Sequence, residues 1–160
     1  MALETDNLRD QAHRAGLASR VFFLGQVPHA EVPAYLRLAD VFVTASETEV
    51  HPFSLIEAMA AGLPALGIAS PGVGDTIVDG HNGLLSTSDL ATFTAKLIRL
   101  VLEPDLRGTL ARQATESSRQ YDINRTAALV LREYERLAGR RTKRLRGWAA
   151  VGQRLQRWLP

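Results

Sequence analysis

Short apolar runs of strand length alternate with helix-length stretches along the first half of this chain, and that alternation limits its fold more than anything else. The runs are Val-Phe-Phe-Leu at 21–24, Asp-Val-Phe-Val-Thr at 40–44, Pro-Ala-Leu-Gly-Ile at 64–68 and Leu-Leu at 84–85. Runs that are apolar throughout suit strands covered on both faces, and helical crossovers supply that cover. The chain therefore reads as α/β with a parallel sheet. Helices are expected over 4–15, where Gly16 is the stop, and from Pro28, where Val32, Tyr35, Leu36 and Ala39 share a face. A further helix is expected over 54–61, closed by Gly62, and at most two turns over 75–78. From residue 88 the helical period persists, which predicts helices over 88–103, 105–119 and 123–138. The breaks fall at Glu103-Pro104 and Tyr121-Asp122-Ile123.

Composition enters as exclusions. A length of 160 residues with 46% hydrophobic content suits one ordinary domain and excludes a wholly disordered chain. Without cysteine there is no disulfide framework, thiol nucleophile or Cys-type zinc site, and the four histidines lack ligand spacing. No apolar run reaches membrane-spanning length and the first residues do not read as a signal peptide, so a cytoplasmic location is expected. The net charge of +2 hides an asymmetry: residues 1–135 carry 11 basic against 17 acidic side chains, whereas residues 136–160 carry eight basic and no acidic ones. Nucleic acid is not expected as a partner, because the bases are confined to the tail. Gly72-Val-Gly74 lacks the third glycine of a dinucleotide fingerprint, and neither Ser46 nor Ser54 sits in a Gly-x-Ser-x-Gly elbow.

Ligands of parallel sheets sit where loops leave the carboxyl ends of the strands, here 25–28, 45–54, 69–75 and 86–88. The second loop carries the richest chemistry, Ser46-Glu47-Thr48-Glu49-Val50-His51-Pro52-Phe53-Ser54-Leu55-Ile56-Glu57. Glu49 lies in the loop and Glu57 about one turn inside the following helix. Amides at the start of that helix favour an anion such as phosphate, and carboxylates beside them suit the hydroxyls of a sugar. The residues alone leave two readings open: a site for a sugar attached to phosphate, or a solvated loop acid beside an ordinary helix residue.

The stretch from Val21 to Leu85 resembles the donor-binding, C-terminal half of retaining glycosyltransferases of the GT-B fold, of the group 1 or family 4 type. The matching pieces, in order, are Val21-Phe-Phe-Leu-Gly25, Ala39-Asp40-Val-Phe-Val and Ser46 followed by Glu49-x7-Glu57. Glu57-Ala-Met-Ala-Ala-Gly-Leu-Pro64, Gly72-Val-Gly-Asp75 and Asp79-Gly-His-Asn-Gly83 follow. The resemblance implies a nucleotide-diphosphate sugar as donor, with no cofactor and no required metal. It implies that Glu49 contacts the transferred sugar as the catalytic residue and that Glu57 holds the ribose hydroxyls. Amides after Pro52 would grip the diphosphate, starting at Phe53 and Ser54 because proline has no N–H. Gly72, Gly74 and Asp75 would approach the sugar, although many members carry Glu where this chain has Asp75. His51 stands where a glycine-rich turn is common, and it either faces the donor sugar or is a structural or solvent-exposed histidine.

The same resemblance implies that two sheet strands and an acceptor-binding domain are not in this sequence. The fold expectation is therefore a partial Rossmann-like parallel sheet over residues 1–138 with C-terminal helices, followed by a basic amphipathic tail over 139–160. Strand 21–24 would lack its neighbour, so it is supplied with one by a partner chain, pairs instead with 40–44, or stands unpaired in a truncated product. As a function, this gives the donor-binding half of a glycosyltransferase acting on a lipid, polysaccharide or other acceptor and inactive by itself. The alternative is a non-catalytic nucleotide-sugar-binding module or a remnant. In the tail, Leu145, Trp148, Val151, Leu155, Trp158 and Leu159 recur at helical spacing among arginines. Three readings stay open there: peripheral contact with the inner membrane face, packing on an acceptor domain or partner, and disorder. Flotation with anionic vesicles separates them: membrane contact requires binding that is lost when residues 140–160 are removed.

Overall fold

The structure is a computed structural model that describes residues 2–156, with side chains described over 5–139. Its contacts divide the chain into two compact units, residues 1–39 and 40–160.

In the first unit, helix α1 (Ala2–Arg14) ends as its sequence predicts. Gly16 takes φ +68°, the amide of Leu17 donates to the Ala12 carbonyl at 2.8 Å, and that of Gly16 to His13 at 3.0 Å. This closure satisfies the last carbonyls of the helix and requires a residue free to adopt the left-handed region. A 3-10 turn (His29–Glu31) leads into the short helix α2 (Val32–Leu36). None of the described side chains of this unit is buried.

The expected strand at 21–24 does not form. Val21 donates its amide to Leu17 at 3.1 Å and so continues a turn, and residues 22–24 have no ladder partner among the described residues. Phe22 and Leu24 are exposed, and Phe23 lies under the Arg9 guanidinium at 5.3 Å. An apolar run becomes a strand only where another strand takes its N–H and C=O groups, and the described residues of this unit contain none.

The second unit is built on a parallel sheet in the order β1 (Phe42–Thr44), β2 (Ala65–Ile68), β3 (Gly83–Ser86). Phe42 aligns with Ala65, and Ala65 with Gly83. Pairing with 21–24 was one expectation for the 40–44 run; instead β1 pairs with β2. The crossovers are α3 (Phe53–Ala60) and α4 (Val73–Thr76). The short turn expected over 75–78 thus lies two residues earlier. After β3 come α5 (Leu90–Leu102), α6 (Pro104–Ser118), a 3-10 turn (Arg119–Tyr121) and α7 (Ile123–Gln156).

Alternation along the strands divides the core into two layers. Ala65, with Phe42 and Leu85, meets Leu55 and Met59 of α3, Val73 and Ile77 around α4, and Ala114 of α6. Leu66 and Leu84 point the other way, onto Leu100 of α5 and Leu110 of α6, flanked by Phe93 and Leu97. Helix α6 serves both layers, through Leu110 and, one turn later, Ala114. Gly67 is small for a packing reason: a methyl there would stand 2.6 Å from Val73 Cγ1. Strand β2 is thus buried along most of its length, as its uniformly apolar sequence demands, whereas Val43 of the edge strand β1 is exposed.

The expected boundary at 138/139 falls inside α7, which runs on unbroken through the backbone of the basic segment. Every described side chain of α7, residues 123–139, is exposed, including Ile123, Leu131 and Tyr134. The contacts expected of side chains 140–160 lie outside the described residues. Among the described residues no helix is long and apolar enough to cross a membrane.

Two predictions follow from the core and from the start of α5. Leu66→Ala removes a fully buried side chain shared by β2, α5 and α6, and should cost about 2–5 kcal/mol in denaturant unfolding. Asp89 caps α5: its carboxylate accepts the Thr92 amide at 2.8 Å and the Thr92 hydroxyl at 2.7 Å, and these bonds hold its pKa below the usual carboxylate value. A depressed folded pKa contributes stability above the unfolded pKa, and this is lost as pH falls through the folded one. Asp89→Ala should therefore lower the unfolding midpoint at neutral pH, with the difference shrinking below about pH 4. A difference that is constant across that range would refute the assignment.

Candidate functional site

The carboxyl ends of β1 and β2 open into two loops that lock together. Residues 45–52 leave β1 and lead into α3; residues 69–72 leave β2 and lead into α4. Ser70 donates its hydroxyl to the Ser46 carbonyl at 3.0 Å, and the Ser46 amide donates to the Thr44 hydroxyl at 3.4 Å. The Ser46 hydroxyl donates to Glu49 Oε1 at 3.3 Å, which aims an otherwise exposed carboxylate. Buried Gly72 closes the arrangement: at φ +77°, a methyl there would stand 2.4 Å from the Glu49 carbonyl oxygen and 2.8 Å from that of Val50. Only glycine combines that φ with so close an approach of two backbones.

The loop after β2 uses its own amides. Gly72 donates to the Asp75 carboxylate at 3.4 Å, Val73 to the Pro71 carbonyl at 2.9 Å and Gly74 to the Ser70 carbonyl at 2.8 Å. The Thr76 hydroxyl donates back to the Gly72 carbonyl at 2.7 Å. Asp75 therefore braces the turn that carries Gly72, and Gly74 is exposed with open space beside its Cα.

At the start of α3 the geometry refines the expected anion grip. Pro52 is buried, and the Phe53 amide, expected to begin the grip, donates instead to the His51 carbonyl at 3.0 Å. Ile56 bonds to Pro52, and Leu55 is fully buried. Ser54 is exposed, and among the described residues its amide has no backbone partner, as first-turn geometry leaves it. No side chain caps the helix. Glu57, half-buried, stands one turn further in, as expected. The His51 ring meets Phe53 edge-on with centroids 4.9 Å apart, and Tyr121 at 6.1 Å. Of the readings of His51, these contacts bear on the structural one: a ring from after α6 stands beside an otherwise exposed side chain.

Loop, glycine turn and helix start thus converge on adjacent strand ends. Ser70 and Tyr121 are partners that reading the sequence did not supply: Ser70 looks like any loop serine, and Tyr121 like a break between helices. Among the described residues no cluster of three or more His, Asp or Glu side chains could hold a metal ion.

A parallel sheet with helices packed on both faces and the candidate residues at its carboxyl edge is the Rossmann-like architecture of GT-B glycosyltransferases. The family model described as glycosyl transferases group 1 matches residues 3–120. The chain belongs to that family. It is 33% identical over 137 residues to a phosphatidyl-myo-inositol mannosyltransferase of Mycobacterium leprae, covering 84% of this chain and 36% of that protein. Over 99 residues it is 37% identical to an alpha-monoglucosyldiacylglycerol synthase of Acholeplasma laidlawii, covering 61% of this chain and 24% of that one. Among solved structures, sucrose-phosphate synthase from Thermosynechococcus elongatus superposes with a TM-score of 0.77 at 26% identity, over 84% of this chain and 34% of the other. Anabaena HepE, solved in complex with UDP-glucose, gives 0.70 at 27%, over 81% and 36%. The chain spans about a quarter to a third of the length of these curated relatives.

Gly72→Ala should destabilise the domain by at least about 1 kcal/mol and shift the amide resonances of Glu49 and Val50. A neutral substitution would show that the two loops do not touch as described.

Proposed function

We propose that this chain binds the donor of a retaining glycosyltransferase, a nucleotide-diphosphate sugar, and that Glu49, Glu57 and the start of α3 form the site. The observation that carries the reading is the clasp at the strand ends, where buried Gly72 lies against the backbone of Glu49 and Ser46 directs its carboxylate. The diphosphate sits at the first turn of α3, where Ser54 offers an N–H and the helix dipole favours negative charge. Glu57 takes the ribose hydroxyls. Glu49 takes the transferred sugar, as the catalytic carboxylate, with Gly72, Gly74 and Asp75 forming the opposite wall. His51, Pro52 and Phe53 shape the turn between the two glutamates.

Transfer with retention needs stabilisation of the negative charge that develops on the departing diphosphate. One exposed amide at the helix start supplies little of it. The chain alone is therefore expected to bind a donor without measurable turnover, and an acceptor-binding domain or partner chain completes the enzyme. No cofactor or metal is part of this reading. The names of two relatives, a diacylglycerol-glucoside synthase and a phosphatidylinositol mannosyltransferase, support a lipid acceptor. A lipid acceptor in turn suits a cytoplasmic protein whose basic segment 140–160 rests on the inner membrane face.

Calorimetric titration with UDP, GDP and their glucose and mannose conjugates tests the donor reading. Saturable binding to one of them, abolished in Glu57→Ala, is expected. A folded chain that binds none, or a Glu57→Ala variant that binds as well as the parent, overturns it.

A further inference from the structure

Tyr121 lies one residue beyond the stretch matched by the family model, yet it touches the candidate site. The 45–52 loop has identifiable restraints at three places. At its start, Ser70 and Thr44 hold Ser46. In its middle, Gly72 lies against the carbonyls of Glu49 and Val50. At its end, buried Pro52 and the bond from the Phe53 amide to the His51 carbonyl make a tight turn. That last restraint is local, because the bond closes over two residues and Phe53 is itself exposed.

The ring contact between His51 and Tyr121, at 6.1 Å and an interplanar angle of 69°, comes from a part of the chain seventy residues away. It falls in the edge-to-face range that favours aromatic pairs. Tyr121 is itself fixed. It ends the 3-10 turn that follows α6, it is half-buried, and the next residue, Asp122, caps α7 by accepting the amides of Asn124 and Arg125 at 2.8 and 3.1 Å. Helix α6 in turn is anchored through Leu110 and Ala114 in both core layers. An element anchored in the core thus reaches the loop through the Tyr121 ring.

We propose that Tyr121 is a positioning residue for this site: acting through His51, it holds the turn that joins Glu49 to the first turn of α3. The proposal rests on the donor reading above and names a residue outside the binding set that sets the site's affinity. The ring, not the hydroxyl, does the holding, since the contact is between ring faces and edges.

Tyr121→Ala, Tyr121→Phe, His51→Ala and the double variant with both alanines test it in the full chain, with UDP and GDP as probes. Two readouts are taken: nucleotide affinity by calorimetry, and NMR resonances of the His51 ring and of amides 46–56. Tyr121→Ala should weaken nucleotide binding about 3- to 10-fold and move the His51 ring resonances as the ring current is lost, leaving the methyls of Leu66 and Leu100 in place. Tyr121→Phe should restore both, and the second alanine should add nothing to His51→Ala. If Tyr121→Ala unfolds the chain, His51→Ala alone must reproduce the affinity loss. Unchanged His51 resonances in Tyr121→Ala, additive effects in the double variant, or failure of phenylalanine to rescue would each overturn the proposal. A parent chain that binds neither nucleotide overturns the donor reading instead, and the His51 and loop resonances then decide the positioning by themselves.

Discussion

The contact on which the site depends is between two backbones. Gly72 lies against the carbonyls of Glu49 and Val50 with no room for a β-carbon, so the loops after β1 and β2 are set by each other rather than by their own sequences. Everything nearby serves that approach. The Asp75 carboxylate and the Thr76 hydroxyl brace the Gly72 turn, while Ser70 reaches across to Ser46, which directs Glu49. Below the loops, Gly67 lets Val73 come down onto β2, which brings the start of α4 to the height at which Gly72 can meet its partner. Two glycines in different elements, at 67 and 72, therefore carry one job.

Much of this was legible in the sequence because it rests on local signals. Uniformly apolar runs bounded by Gly and Pro mark β1, β2 and β3. The helix-length stretches over 54–61 and 105–119 were legible too, and the structure shows their buried faces at Leu55, Ala58 and Met59 and at Leu110, Ala114 and Ser118. The glutamates and the glycine turn also stood out, through their spacing and their resemblance to group 1 glycosyltransferases, and the family match agrees with that resemblance.

What the sequence misstated depends on partners. Residues 21–24 have the composition of β1 and β2, but composition cannot say whether a neighbouring strand is at hand. Phe53 stands at the right position to offer an amide, but the tight turn after His51 claims it first. The role of Tyr121 is invisible locally, since a tyrosine between two helices reads as a break until the fold sets it beside His51. For residues 21–24 and for Tyr121 the missing information concerns which group another group meets across a long separation in the chain, whereas at Phe53 it is a local turn that closes two residues back.

Helix α7 adds a mechanical consequence. It starts two residues after Tyr121 and continues for 34 residues, a rod about 50 Å long. A tilt of about 5° at Asp122 carries its far end through about 4 Å, yet moves the ring beside His51 by a small fraction of that. Were the helix to tilt there as a rigid rod, its outer arm would be long and its arm at the glutamate loop short. Leverage of that kind lets a weak load at the far end exert a large torque where the aromatic rings meet.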